Sequence, residues 1–238
     1  MRILGIDTST MAASVAVIED NQLVCEYTIN TKKTHSQKLM PMIENMLKES
    51  DLNINDIDLI GICVGPGSFT GLRIGMATAK AIAHVNNIPI VGVTSLEMLA
   101  ANMNLCDKKI CSILDAQRNQ VYTAKFEYIG NRLVQINDTD VLEIDKLINE
   151  ISSSEDDYIL IGEAVYKYEE KLKDIENISI PSPSHNVTKA SSLCSIALEK
   201  YNQGENIESC YTINPMYIRK SQAEVQYDEK MKRLNDGK

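Results

Sequence analysis

A glycine-rich segment at positions 65–75, with the sequence GPGSFTGLRIG, is the most distinctive candidate for chemistry in this chain. It follows an apolar run and leads into a helical pattern, so its backbone N–H groups could face an anion at a helix N-terminus. It is not a P-loop, because no Gly-Lys-Ser/Thr follows, and it does not match the dinucleotide-binding fingerprint. A tight turn in which Ser68 or Thr70 caps the helix is the alternative. The spacing alone leaves both interpretations open.

A second candidate is the polar turn at positions 7–10, where a carboxylate and hydroxyl groups follow the first apolar run. Such a turn suits Mg²⁺ or phosphate held between two lobes. The matching turn at 115–120 has no glycine and few hydroxyls, although a phosphate clamp needs close backbone approach from both sides. We therefore regard Asp7, Thr8 and Ser9 as a candidate vestigial nucleotide-binding site, and we predict no cofactor.

The histidines and cysteines do not form a recognisable metal or nucleophile motif. His35, His84 and His185 have no second histidine or carboxylate at helical spacing, which favours capping or surface roles. The six cysteines are scattered, with no C-x-x-C pair, and fit small buried hydrophobic residues in a reducing compartment. No Ser/His/Asp order is visible. We predict no catalytic set and no metal site.

Hydrophobic patterning predicts an α/β fold with an internal duplication. Strand, hairpin, helix and buried strand follow one another in the first half, and the same order returns in the second half. Asp7 and Asp115 end equivalent apolar runs 108 residues apart. The predicted architecture has two βββαβα-type lobes, at 1–104 and 105–220, with a polar tail at 221–238. The predicted strands are at 2–7, 13–18, 23–29, 59–64, 88–93, 110–115, 118–126 and 133–136. One helix is predicted at 35–49, and a second follows the glycine-rich segment and ends at about residue 84.

Composition limits the ligands and the location. The 238 residues include 24 Lys and Arg against 33 Asp and Glu, giving a net charge of −9, which argues against direct high-affinity binding to nucleic acid. No apolar run approaches the length of a membrane span, about 20 residues. The first residues reach an acidic side chain too early for a signal peptide. We expect a cytoplasmic protein without a membrane partner.

The two helices of the first lobe suggest a protein–protein interface. The second carries small residues at every fourth position, a ridge that allows another backbone to approach closely, and the first carries a methionine-rich surface typical of adaptable interfaces. Burial of both helices within the chain is the alternative. The predicted interface residues are Leu39, Met42, Ile43, Met46, Gly71, Leu72, Gly75, Met76, Ala79 and Ala83.

At the glycine-rich segment the chain resembles the bacterial TsaB (YeaZ) family. Weaker family motifs are Ile6–Ser9, Val93–Glu97 and Pro215–Arg219, and the similarity extends over about the whole chain to Arg219. The resemblance implies the actin-like, Hsp70-like fold. One departure is Gln117, which stands where the family's Asp-Ala-Arg stretch has arginine, and this puts an anion-binding role of that segment in doubt.

The resemblance also implies a function. TsaB is the non-catalytic relative and dimerisation partner of TsaD, which transfers threonylcarbamoyl to adenosine 37 of tRNA, and the ATPase TsaE joins their complex. TsaD binds its metal through a His-x-x-x-His pair, and the corresponding positions here are Ser95 and Leu99. We expect a scaffold subunit that binds TsaD through the helices of the first lobe, forms a homodimer when alone, and meets tRNA only through the complex.

Two enzyme classes remain as alternatives. An ATP-dependent kinase or ATPase of the actin-like superfamily needs a complete phosphate clamp. A metal-dependent peptidase needs a metal site, against which the absent histidine pair argues. Nucleotide titration and elemental analysis separate these alternatives from the scaffold.

Overall fold

The strand-rich start of the chain forms the first of two sheets in the computed structural model, which describes residues 1–31 and 34–219. Three antiparallel strands come first. The first two are buried on both faces, and the third is an exposed edge strand that follows a short hairpin turn. Two further strands add in parallel beyond the first. The strands are β1 (Arg2–Asp7), β2 (Ala12–Glu19), β3 (Gln22–Asn30), β4 (Leu59–Gly65) and β5 (Ile90–Thr94).

The second sheet repeats the topology of the first. Its strands are β6 (Lys109–Asp115), β7 (Gln120–Ile129), β8 (Arg132–Gln135), β9 (Asp140–Glu143), β10 (Tyr158–Ile161) and β11 (Ile178–Ser179). The order β5-β4-β1-β2-β3 in the first sheet corresponds to β11-β10-β6-β7-β8 in the second. The predicted duplication of an α/β lobe is therefore confirmed, and Asp7 and Asp115 end the equivalent strands β1 and β6.

Two long helices cover one face of the first sheet. They are α1 (His35–Glu49) and α2 (Phe69–Asn86), and a short 3₁₀ turn (Ile54–Asp56) lies between α1 and β4. Pro41 lies inside α1 on its exposed side. No helix among the residues described has the length and apolar character needed to cross a bilayer.

A short helix joins the two lobes. α3 (Ser95–Ala101) directly follows β5, and Leu96, Leu99 and Ala100 are buried in the core of the second lobe. The Ser112 hydroxyl of β6 donates to the Leu96 carbonyl at 2.8 Å. The next three helices along the chain are α4 (Ile144–Ser152), α5 (Ala164–Lys167) and α6 (Glu169–Leu172).

The end of the described chain returns to the first lobe, so the predicted extent of the second lobe, 105–220, is wrong. The last helix, α7 (Ala190–Asn202), covers the face of the first sheet opposite α1 and α2. The last strand, β12 (Ile207–Glu208), pairs with β5. A Cβ at Gly61 of β4 would stand 2.3 Å from the Leu193 side chain of α7, so the helix packs closely on this strand. The sheet needs cover on both apolar faces, and α7 supplies the second. The predicted polar tail at 221–238 lies outside the described residues.

Candidate functional site

The glycine-rich segment is a helix cap that packs against the turn after β1. Ser68 is the N-cap of α2, and its hydroxyl accepts a hydrogen bond from the Gly71 N–H at 3.2 Å. The Ser68 N–H donates to the Ser9 carbonyl at 2.7 Å. A Cβ at Gly67 would stand only 2.2 Å from that same carbonyl oxygen. The glycines therefore allow close approach to this chain's own backbone, and the predicted capping role of Ser68 is confirmed.

The candidate nucleotide residues have internal partners. Asp7 is fully buried, and its carboxylate accepts from the Ser9 N–H at 2.8 Å and from the Thr188 hydroxyl at 2.5 Å. Thr8 is also buried, and its hydroxyl donates to the Gly71 carbonyl at 2.7 Å. Both Asp7 oxygens and the Thr8 hydroxyl thus have hydrogen-bond partners within the chain, and both residues are buried. Of the three candidates only Ser9 lines the cleft between the lobes, and it is 1% exposed.

The cleft itself has a volume of about 830 Å³. Its second wall is the β6–β7 turn, where Gln117, Arg118 and Asn119 have φ angles of 61°, 51° and 61°. Three successive non-glycine residues in the left-handed region are costly, about 1–2 kcal/mol each. The turn adopts this left-handed conformation although it contains no glycine, the residue that a sequence search would look for.

A charged side chain of this wall, Asp115, forms an ion pair with Lys167. The Asp115 carboxylate accepts from the Gln117 N–H at 3.0 Å and from Lys167 Nζ at 2.8 Å. Desolvation in the cleft wall, reinforced by the negative charge of Asp115, raises the pKa of Glu163. The Arg219 guanidinium donates to the Ala116 carbonyl. Asp115 and Arg219 are thus each bonded to other groups of this same wall.

The positions that correspond to the relative's metal-binding pair are both buried. The Ser95 hydroxyl donates to the Pro66 carbonyl at 2.5 Å, and Leu99 lies in the core of the second lobe. Across residues 1–31 and 34–219, no three side chains of His, Cys, Asp or Glu come together in a metal-binding group. The donor set at this place does not fit a metal, because it offers one hydroxyl that is already engaged.

The predicted interface residues are wrong as a contact surface, because all ten lie inside the first lobe. The small-residue ridge of α2 does allow a backbone to approach closely, but that backbone is the turn at Thr8. A Cβ at Gly71 would stand 2.0 Å from the Thr8 carbonyl oxygen, and one at Gly75 would stand 2.5 Å from the Thr8 hydroxyl. The ten buried residues are Leu39, Met42, Ile43, Met46, Gly71, Leu72, Gly75, Met76, Ala79 and Ala83.

The opposite sides of the same helices form an exposed surface that the sequence analysis missed. We define the outer face as the exposed residues Met40, Pro41 and Glu44 of α1 and Thr70, Arg73, Ala77, Ala81 and Val85 of α2. Met40 is 52% exposed and Val85 is 80% exposed. Ala77 and Ala81 lie one turn apart, and alanines at such spacing allow a second helix to approach to about 8 Å. The signal was present in the sequence, since α2 is apolar or small on nearly every side.

Comparisons with known proteins point to one family. The family model described as "TsaD: tRNA N6-adenosine threonylcarbamoyltransferase" matches residues 22–227. A tRNA threonylcarbamoyladenosine biosynthesis protein TsaB from Bacillus subtilis is 30% identical over 234 residues, which is 98% of this chain and 100% of that protein. The TsaB protein of Escherichia coli is 25% identical, with 94% and 96% of the two chains covered.

A solved structure shows the same fold. YeaZ from Pseudomonas aeruginosa superimposes with a TM-score of 0.80 at 22% identity, over 91% of this chain and 99% of that one. A second structure, component A of the Acidaminococcus fermentans (R)-2-hydroxyglutaryl-CoA dehydratase, has a TM-score of 0.52 at 10% identity, over 85% and 99% of the two chains. The expected two-lobed α/β fold is confirmed.

Proposed function

Because the chain belongs to the TsaB (YeaZ) family, we propose that it serves tRNA threonylcarbamoyladenosine biosynthesis as a non-catalytic subunit that binds and activates a TsaD protein. Its relatives carry the name of that pathway. The family model that matches most of the chain is that of the transferase itself. A chain that shares a fold with an enzyme can keep the shape for binding while its site residues change.

The outer face of α1 and α2 is the observation that carries this proposal. It presents two alanines in the middle of α2, with the exposed Met40 on α1 and Val85 near the end of α2. Large exposed apolar side chains next to small ones are typical of helix-mediated interfaces. Docking of a helix pair there would bury about 1,200–2,000 Å² in total if the interface is of standard size.

The non-catalytic role is supported by the residues of the cleft and of α3. The Asp7 carboxylate, which would hold a metal–nucleotide complex, accepts hydrogen bonds from Ser9 and Thr188 instead. Leu99 has no atom that ligates a metal, and the Ser95 hydroxyl is bonded to Pro66. The chemistry of transfer therefore belongs to the partner in our account.

The remaining partners follow from the same account. The ATPase TsaE joins the complex of the two subunits, and the isolated chain forms a homodimer through the outer face. With a net charge of −9 the chain leaves most of the tRNA contacts to its partner. We place the assembly in the cytoplasm.

The test is a reconstituted reaction. Purified TsaD, TsaE, ATP, a threonylcarbamoyl donor and unmodified tRNA are combined with and without this chain, and the tRNA nucleosides are quantified by mass spectrometry. We expect the modified nucleoside to form only when this chain is present. Equal product without the chain would contradict an activating role, and product from this chain without TsaD would contradict a non-catalytic one.

A further inference from the structure

The chain segment that follows β12 contacts α2 near both of its ends. Ile213 is fully buried in the core beneath α2. Further along, the Met216 N–H donates to the Val64 carbonyl of β4 at 2.7 Å. The segment is therefore anchored at two points, and it carries two tyrosines whose rings are held against α2.

Tyr217 is fixed at the N-terminal end of α2. Its ring stacks on Phe69 with centroids 4.8 Å apart and an interplanar angle of 8°. Arg73 Nε donates to the Tyr217 hydroxyl at 3.0 Å, and the guanidinium carbon lies 5.6 Å from the ring centroid. The tyrosine is nevertheless 43% exposed. It is a rigid aromatic surface beside the outer face.

Tyr211 is fixed near the C-terminal end of α2 in a similar way. Its hydroxyl lies 3.1 Å from His84 Nδ1, within hydrogen-bond distance. The two rings meet edge to face with centroids 5.6 Å apart. Tyr211 is 76% exposed, and the neighbouring Val85 is 80% exposed. This end of α2 thus presents an exposed aromatic ring on His84, and the residue that follows His84 is an exposed valine.

Arg73 and His84 lie on the same side of α2 as Ala77, because four and seven residues are about one and two helical turns. At 1.5 Å per residue, Arg73 and His84, which contact the two tyrosines, are about 16 Å apart along the helix. The exposed alanines lie between them. The arrangement resembles the anatomy of strong interfaces, in which rigid Tyr and Arg side chains provide most of the binding energy.

We propose that Tyr211 and Tyr217 are anchor residues of the TsaD docking surface, which therefore includes the C-terminal segment as well as α1 and α2. This inference rests on the proposed function. The occupant is the TsaD helix that packs over Ala77 and Ala81, because the tyrosines are continuous with that strip. Both rings are held in place before binding, so little side-chain entropy is lost when the partner packs on them.

The test uses the full chain and purified TsaD, with affinity measured by calorimetry. We expect Tyr211→Ala and Tyr217→Ala each to weaken binding at least 10-fold, a typical loss for an anchor residue. Tyr217→Phe keeps the stack on Phe69 and should lose less than 3-fold, as expected where ring packing outweighs the hydroxyl. Tyr166→Ala, at a tyrosine of the second lobe that is 49% exposed, is the matched control and should bind normally.

Several results would overturn the inference. If both alanine variants bind TsaD normally while Ala77→Glu binds weakly, the tyrosines are not anchors and the proposed function stands. If Ala77→Glu also binds normally, the docking surface itself is wrong. If the alanine variants lose only self-association in sedimentation, the tyrosines serve a second copy of this chain instead of TsaD.

Discussion

Gly71 of α2 and Thr8 of the first turn are in direct contact through both backbones. The Thr8 hydroxyl donates to the Gly71 carbonyl at 2.7 Å, and a Cβ at position 71 would stand 2.0 Å from the Thr8 carbonyl oxygen. This contact joins the glycine-rich segment to the polar turn that follows β1. The Thr8 hydroxyl, a candidate nucleotide-binding group, is bonded within the chain, and the small-residue ridge of α2 packs against the Thr8 turn. The exposed alanines Ala77 and Ala81 lie on the other side of α2.

The variant Gly71→Ala tests this contact. Alanine is favoured over glycine in a helix by about 1 kcal/mol, so an open site would be stabilised by the change. Here the methyl group meets a backbone oxygen, and we expect the free energy of unfolding to fall by about 3 kcal/mol. Urea denaturation measures it, with Ala77→Ser on the outer face as a control that should stay within about 0.5 kcal/mol. If Gly71→Ala were more stable than the wild type, the Thr8 turn would have to move to make room for the methyl group, and the close contact would not be rigid.

The variant Gln117→Gly should stabilise the protein. Gln117 has a φ of 61°, a conformation that glycine adopts without steric cost. The relief is partly offset by the greater freedom of glycine in the unfolded chain, so we expect a gain of about 0.5–1 kcal/mol. Gln117→Val should lose stability, because a branched side chain is strained there. We expect thermal unfolding to show a higher melting temperature for Gln117→Gly and a lower one for Gln117→Val. A lower melting temperature in both variants would contradict backbone strain at Gln117.

Alkylation of the six cysteines should divide them into two groups. Burial raises the pKa of Cys111 to about 11, and it also raises the pKa of Cys63 and Cys194. The thiolate is the reactive form, so a raised pKa leaves less of it at pH 8. We expect iodoacetamide to label the partly exposed Cys25, Cys106 and Cys210 first, and the buried three only after denaturation. Early labelling of a buried cysteine, detected by peptide mass spectrometry, would contradict the packing around it.

The isolated chain should not bind ATP in its cleft. A ligand that binds the folded state and not the unfolded state raises the melting temperature. Since the Asp7 carboxylate accepts from Ser9 and Thr188, we expect no shift with millimolar Mg²⁺-ATP. A shift of several degrees, lost in a variant with bulky residues at the cleft wall such as Gln117→Trp, would favour the ATPase alternative.

Much of the fold could be predicted from the sequence, because local patterns determine it. β1 and β4 are short runs of buried apolar residues, and α1 has a clear three- and four-residue period. The duplication was visible because equivalent strands end in Asp7 and Asp115. The destination of α7 was not visible, since its apolar face would fit either lobe and its contacts with β1 and β4 are distant in sequence.

The surface that we propose for docking lies on the two helices that the sequence suggested, but it consists of different residues. α2 has apolar or small residues on nearly every side, so its periodicity does not select a buried face. The contact that selects it, between Gly71 and Thr8, joins residues 63 positions apart. Similarly, the left-handed turn at Gln117 contains no glycine, so the sequence does not indicate it. Long-range packing decides both cases.

The affinity of the variant Ala77→Glu/Ala81→Glu for TsaD tests the central claim most directly. Both alanines are exposed, so the variant should fold with unchanged stability, and Ser195→Glu on the exposed side of α7 is the matched control. Burying unpaired charges between two helices costs several kcal/mol. By titration calorimetry we predict at least a 100-fold loss of affinity for the double variant and none for Ser195→Glu. Wild-type affinity in a folded double variant would contradict docking through the outer face of α2.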